Sequence, residues 1–221
     1  AGEPDTLWKR LTQYKNPDGN WQVHRISSYD FYPDDSKVAT FCNVYGGSLV
    51  VFNTLTAEID TIIYGPKYGQ YTADGNGLIC GDYIGIFLLD ANTYERLDKF
   101  ESDGKGISFD GISYSNDGKV VAAYTSKKGF RIWDYETGKI VFTKEYQEVE
   151  GYDSLLSETK LTPDGKYLFV HVGLIRNSDL IWIKGFTQVF DMSTMKIIEQ
   201  IDSTHEIYIS ENSKRVAFKY Y

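Results

Sequence analysis

The chain has 221 residues, 15% of them aromatic, with 31 acidic against 23 basic side chains and a formal net charge of −8. That balance argues against nucleic acid and anionic membrane surfaces as partners, since both need a basic face. No run approaches the 18 or so apolar residues of a membrane-spanning helix, so no membrane insertion is expected.

Residues 1–25 are the least regular part. Thr6 to Leu11 and Trp21 to Ile26 read as two strands around an Asn16-Pro17-Asp18-Gly19 turn. From there on, short runs rich in Val, Ile, Tyr and Phe alternate with breaks of Gly, Asp and Asn, which is strand and turn chemistry. The clearest unit is Ile107 to Phe142, which holds four short strands in under 40 residues.

The unit repeats. Its first turn recurs as Pro33-Asp34-Asp35-Ser36-Lys37, Ala73-Asp74-Gly75-Asn76, Asn116-Asp117-Gly118-Lys119, Pro163-Asp164-Gly165-Lys166 and Glu211-Asn212-Ser213-Lys214. The last residues of successive turns are 39, 43, 47 and 48 apart. The end of the third strand recurs as Phe52-Asn53, Leu89-Asp90, Trp133-Asp134 and Phe190-Asp191. Units fall at about 27–64, 68–100, 107–144 and 155–202, and a partial fifth at 205–221. One four-stranded sheet cannot bury both faces, whereas stacked sheets can. A period in the forties with four strands per unit is that of propeller blades. The expected fold is therefore all-β: a single β-propeller of four-stranded antiparallel blades, about five in this chain. Two arrangements follow. Either residues 1–26 complete the last blade and close the ring, or the chain is part of a larger propeller.

These units resemble WD40-like (YVTN-type) β-propeller repeats of the bacterial exported kind. The third unit, with Arg131-Ile132-Trp133-Asp134, is closest. The resemblance implies a non-enzymatic platform that binds another protein.

Two connections break the spacing. One, Lys144 to Asp153, is acidic and carries Tyr146 and Tyr152. The other, Gly173 to Gly185, holds Leu180-Ile181-Trp182-Ile183, an apolar run with no place in a blade. In a propeller both open on one face, together with Tyr45, Tyr68, Tyr83 and Lys127-Lys128. The expected partner-binding residues are Trp182, Ile181, Tyr83, Tyr146, Tyr152 and Tyr45, because Trp and Tyr dominate binding hot spots.

Catalytic signatures are absent. His24, His171 and His205 are isolated and read as structural or exposed, and no metal-binding, P-loop or nucleophile-elbow motif is present. Asp34, Asp74, Asp117 and Asp164 recur once per unit, so turn chemistry explains them. No catalytic residue, metal or cofactor is expected. Cys42 and Cys80 fall one residue out of phase in matching strands and so face opposite ways, which predicts two buried thiols rather than a disulfide.

The function expected is a protein-binding scaffold. The first alternative is a carbohydrate-binding or glycoside-cleaving propeller, for which Tyr and Trp would stack on sugars and Glu148 and Glu150 are the only candidate carboxylates. A further alternative is a structural subunit of an exported assembly. The start at Ala1-Gly2-Glu3-Pro4-Asp5 suits a mature extracellular or periplasmic protein ahead of a cytoplasmic one.

Overall fold

The computed structural model describes residues 13–15, 21–23, 26–42, 47–97, 99–101, 109–125, 129–146, 152–176, 181–210 and 212–220. They are all strand and turn. Four antiparallel four-stranded sheets follow one another along the chain, with the strands of each in sequence order. Sheet one is β3 (Ser28–Phe31), β4 (Lys37–Cys42), β5 (Ser48–Asn53) and β6 (Ile59–Tyr64). Sheet two is β7 (Tyr68–Tyr71), β8 (Gly77–Gly81), β9 (Ile86–Asp90) and β10 (Arg96–Leu97). Sheet three is β11 (Gly111–Tyr114), β12 (Val120–Thr125), β13 (Gly129–Asp134) and β14 (Ile140–Glu145). Sheet four is β15 (Tyr152–Leu161), β16 (Tyr167–Arg176), β17 (Ile181–Asp191) and β18 (Lys196–Asp202). β19 (Thr204–Ile209) and β20 (Val216–Tyr220) make a two-stranded sheet, as do β1 (Gln13–Lys15) and β2 (Trp21–Val23). The sheets are propeller-like blades.

Among the described residues no strand pairing closes a ring. β1 and β2 pair with each other and not with β19 or β20. Closure by strand exchange between the ends of the chain is thus not made among the described residues.

The repeated turns explain why the sequence breaks where it does. In the first turn the Asp or Asn side chain accepts a backbone N–H two residues on, as Asp74 does from Asn76 at 3.1 Å and Asn212 from Lys214 at 3.1 Å. In four units the hydroxyl two residues before that acid (Thr72, Ser115, Thr162, Ser210) then accepts the N–H that opens the second strand. In the second turn, Asn53, Asp90, Asp134 and Asp191 cap the N–H groups two or three residues later. Each such turn ends four residues after the acid on a residue with positive φ: Ala57, Tyr94, Gly138 and Met195.

The core is layered between blades. Phe41, Leu49 and Val51 of sheet one meet Leu78, Cys80 and Phe87 of sheet two. Ile79 and Leu88 meet Val121, Ala123 and Trp133. Phe130 and Ile132 meet Leu168, Val170 and Phe190. Cys42 and Cys80 are buried and not joined in a disulfide.

Sheet four corrects one expectation. The apolar run at 180–183 was set outside the blade, yet β17 begins at Ile181, with Ile181 opposite Arg176 and Trp182 opposite Ile175. Gly173 and Gly185 face each other across the ladder, so the irregular spacing is a lengthening of two strands. A β-branched and aromatic run such as Ile181-Trp182-Ile183 prolongs a ladder more readily than it forms a loop. β16 and β17 have 10 and 11 residues against six in β12 and β13. At about 3.3 Å per residue, this hairpin projects roughly 15 Å beyond its neighbours.

Candidate functional site

The first strands of the five units line an open-sided cavity of about 670 Å³, the channel of these blades. In the first four units a polar side chain four residues before the turn Asp binds the next blade. Asp30 Oδ2 accepts the Tyr71 N–H at 2.7 Å. Gln70 Oε1 accepts that of Tyr114 at 2.9 Å, and Ser113 Oγ that of Leu161 at 2.8 Å. At the next position stands Lys160, a donor, and it takes the carbonyl of Ile207 instead. Glu158 pairs with Lys160 at 2.8 Å and accepts the Ile207 N–H at 3.3 Å. The channel residues are thus largely spent on holding blade to blade.

Burial pushes the Asp30 carboxyl up to about 6, against the weaker opposing pull of the Tyr71 and Phe31 N–H groups. Burial also raises the Tyr124 hydroxyl, and the negative charges of Asp110 and Glu158 add to the effect. With Asp30, Asp110 and Glu158 against Lys160, the channel lining disfavours anionic ligands. Among the described residues, no three His, Cys, Asp or Glu side chains come together in a metal-holding group.

At one end of the strands, Tyr83 and Ile84 form the tip of the β8–β9 turn, 49% and 69% exposed. The turn is locked. Asp82 Oδ1 accepts the N–H of Ile84 at 2.7 Å and of Gly85 at 2.9 Å. Arg96 braces the other carboxylate oxygen at 3.4 Å and lies over the Phe87 ring. Lys67 Nζ sits 3.2 Å from the centre of the Tyr83 ring. Two exposed apolar side chains are therefore presented with little freedom to lose on binding.

The other expected binding residues are not equivalent to Tyr83. The Tyr146 ring packs into the core between sheets three and four, and its hydroxyl donates to Gln188 Oε1 at 2.7 Å. Ile181 and Tyr152 share one row of sheet four, both level with Arg176, while Trp182 stands in the adjoining row with Ile175 and Asp153. These rows belong to the projecting part of the sheet. Tyr45 lies outside the described residues, as do Glu148 and Glu150. His171 is fully buried, with Nδ1 3.4 Å from the Thr187 hydroxyl and 3.3 Å from that of Thr204.

Sequence reasoning missed the channel column of Asp30, Gln70, Ser113, Lys160 and Tyr208. A signal for it exists. All five stand four places before a turn Asp or Asn, and all five are polar or amphipathic.

No family model and no curated protein matches this sequence. By backbone shape the chain matches 1127 chains of solved structures, a breadth that leaves shape alone uninformative about activity. One is a chain of Kuenenia stuttgartiensis hydrazine synthase, with a TM-score of 0.68 and 17% identity, covering 87% of this chain and 54% of that one. The present chain therefore spans about half the length of that neighbour. At this identity the likeness carries the fold.

Proposed function

We propose that this chain is a non-enzymatic, WD40-like propeller module that docks a partner protein, within an assembly, at the end of the blades that carries Tyr83 and Ile84. The observation that carries the reading is the locked Tyr83–Ile84 turn. The turn backbone is fixed by a capping carboxylate braced by an arginine, and a lysine lies on the exposed Tyr83 ring beside the exposed Ile84. Exposed apolar groups in a preorganised setting are what a binding hot spot needs. The projecting hairpin of sheet four, with Tyr152, Ile181 and Trp182 in its rows, lies at the same end of the strands and would flank the partner. The neighbour's printed name is that of an enzyme. In this chain, however, the channel side chains are engaged in interblade bonds, and the exposed feature is a contact surface.

The test replaces Tyr83 with a photo-crosslinking phenylalanine analogue in the source cell. A crosslinked protein that disappears when Ile84→Asp is added, with the melting temperature unchanged, supports the reading. Equal crosslinking with and without Ile84→Asp, or none at all, refutes it.

A further inference from the structure

At the opposite end of the strands, each seam between blades meets the second turn of the following blade. Two positions of that turn point at the seam: the residue after the acid, and the positive-φ residue four places after it. Between sheets one and two these are Ala91 and Tyr94. Tyr94 fills the seam, and Lys37 of sheet one reaches its hydroxyl at 3.4 Å and lies over its ring at 5.6 Å. Between sheets two and three they are Tyr135 and Gly138. Tyr135 fills the seam against Tyr114 and Phe100, with Lys99 Nζ 3.6 Å from the ring centre. Both seams are therefore closed by a tyrosine ring with a lysine over it.

Between sheets three and four the same positions are Met192 and Met195, so neither supplies a ring at this end, although Phe130, Phe142 and Phe190 pack together elsewhere in the same seam. A groove of about 670 Å³ remains there, floored by Ile132, Trp133 and Met192 and edged by Val141 and Tyr167. Val141 and Tyr167 are 51% and 38% exposed. The chain has two methionines in all, and both line this groove. Lys119 and Lys166 stand at its rim with side chains 75% and 71% exposed, each next to a turn carboxylate at 3.3 Å.

We propose that this groove is a docking site for a tyrosine or tryptophan side chain of a partner polypeptide. In the two closed seams the same fold accepts a ring at this end and sets a lysine on it. Thioether sulfurs favour aromatic neighbours. Lys119 would take the ring face, while Asp117, Asp134 and Asp191 in the lining disfavour an acidic partner. The site lies at the other end of the strands from Tyr83 and does not depend on the reading given for that turn.

The two methionines make the test direct. With methyl-labelled methionine the protein has two methyl signals, one from each wall residue. N-acetyl-tyrosinamide and N-acetyl-tryptophanamide should shift both in a saturable way. N-acetyl-leucinamide should shift them at least about fivefold less. Met195→Tyr transplants the ring of Tyr94 onto the same backbone, since φ is 58° at Tyr94 and 55° at Met195. That variant should fold and should abolish the response at Met192. The proposal is overturned if aromatic and leucine amides act alike, if neither methyl moves, or if folded Met195→Tyr responds as the wild type does.

Discussion

The sharpest quantitative prediction concerns Asp30→Asn. Asp30 is a partly buried carboxylate whose oxygen holds the Tyr71 N–H, and burial raises its pKa from 3.8 to about 6. A raised value means that the folded protein holds the proton more tightly than the unfolded chain does. Asp30 therefore contributes most below pH 4, and its contribution declines as pH rises from about 4 to about 6. The full displacement corresponds to about 3 kcal/mol at 1.36 kcal/mol per pH unit. Asparagine removes the charge and keeps an oxygen to accept the Tyr71 N–H, and the pull of the N–H groups on the charged form is already contained in the raised value. The expectation at pH 7.5 is a gain of about 3 kcal/mol, or roughly 6–12 °C in melting temperature for a chain of this size. At pH 4 the gain should vanish or reverse. Urea unfolding of wild type and Asp30→Asn from pH 4 to pH 8 measures the difference, and subtraction cancels the carboxylates common to both. A difference that does not change with pH, or a less stable variant at pH 7.5, would refute the assignment of a buried, uncompensated charge.

Three other outcomes follow from the same geometry. Ser113→Ala leaves the N–H of Leu161 without its acceptor between sheets three and four, where Ser113 and Leu161 are 9% and 6% exposed; urea unfolding should show a loss of about 1–3 kcal/mol. Gly138→Ala should cost more than about 2 kcal/mol, because φ is +68° and a Cβ would stand 1.8 Å from the Lys99 carbonyl oxygen. Gly165→Ala, with φ +69° but only the Asp117 carboxylate nearby at 3.2 Å, should cost about 1–2 kcal/mol, so equal losses at the two glycines would contradict the close approach at Gly138.

Much of the fold was legible before any coordinates. The repeated Asp and Asn residues mark turns because only a short acceptor side chain can cap the N–H groups two and three places on, and that requirement recurs in each unit. The candidate site was legible only in part. Tyr83 stands exposed at a turn tip, whereas Tyr146, from a more polar stretch, turns inward, where Gln188 of the next blade offers its hydroxyl a partner. Nothing in the run of letters around Tyr146 carries that information, since Gln188 lies 42 residues away.

The sequence by itself determined strand, turn and repeat: the alternation of apolar residues, the capping acids and the fixed offsets between them are local, and local chemistry settles them. It also contained the channel column, at a constant four places before each turn. Tertiary structure alone decided how the seams between blades are filled. Tyr94 and Tyr135 close two of them while Met192 and Met195 leave the third open, and that outcome depends on which side chain of one sheet meets which side chain of the next. Likewise Leu180-Ile181-Trp182-Ile183 reads as an interruption until its neighbour is known. Pairing with Ile175 and Arg176 turns Ile181 and Trp182 into strand, because a ladder hydrogen bond is a property of two segments and not of one.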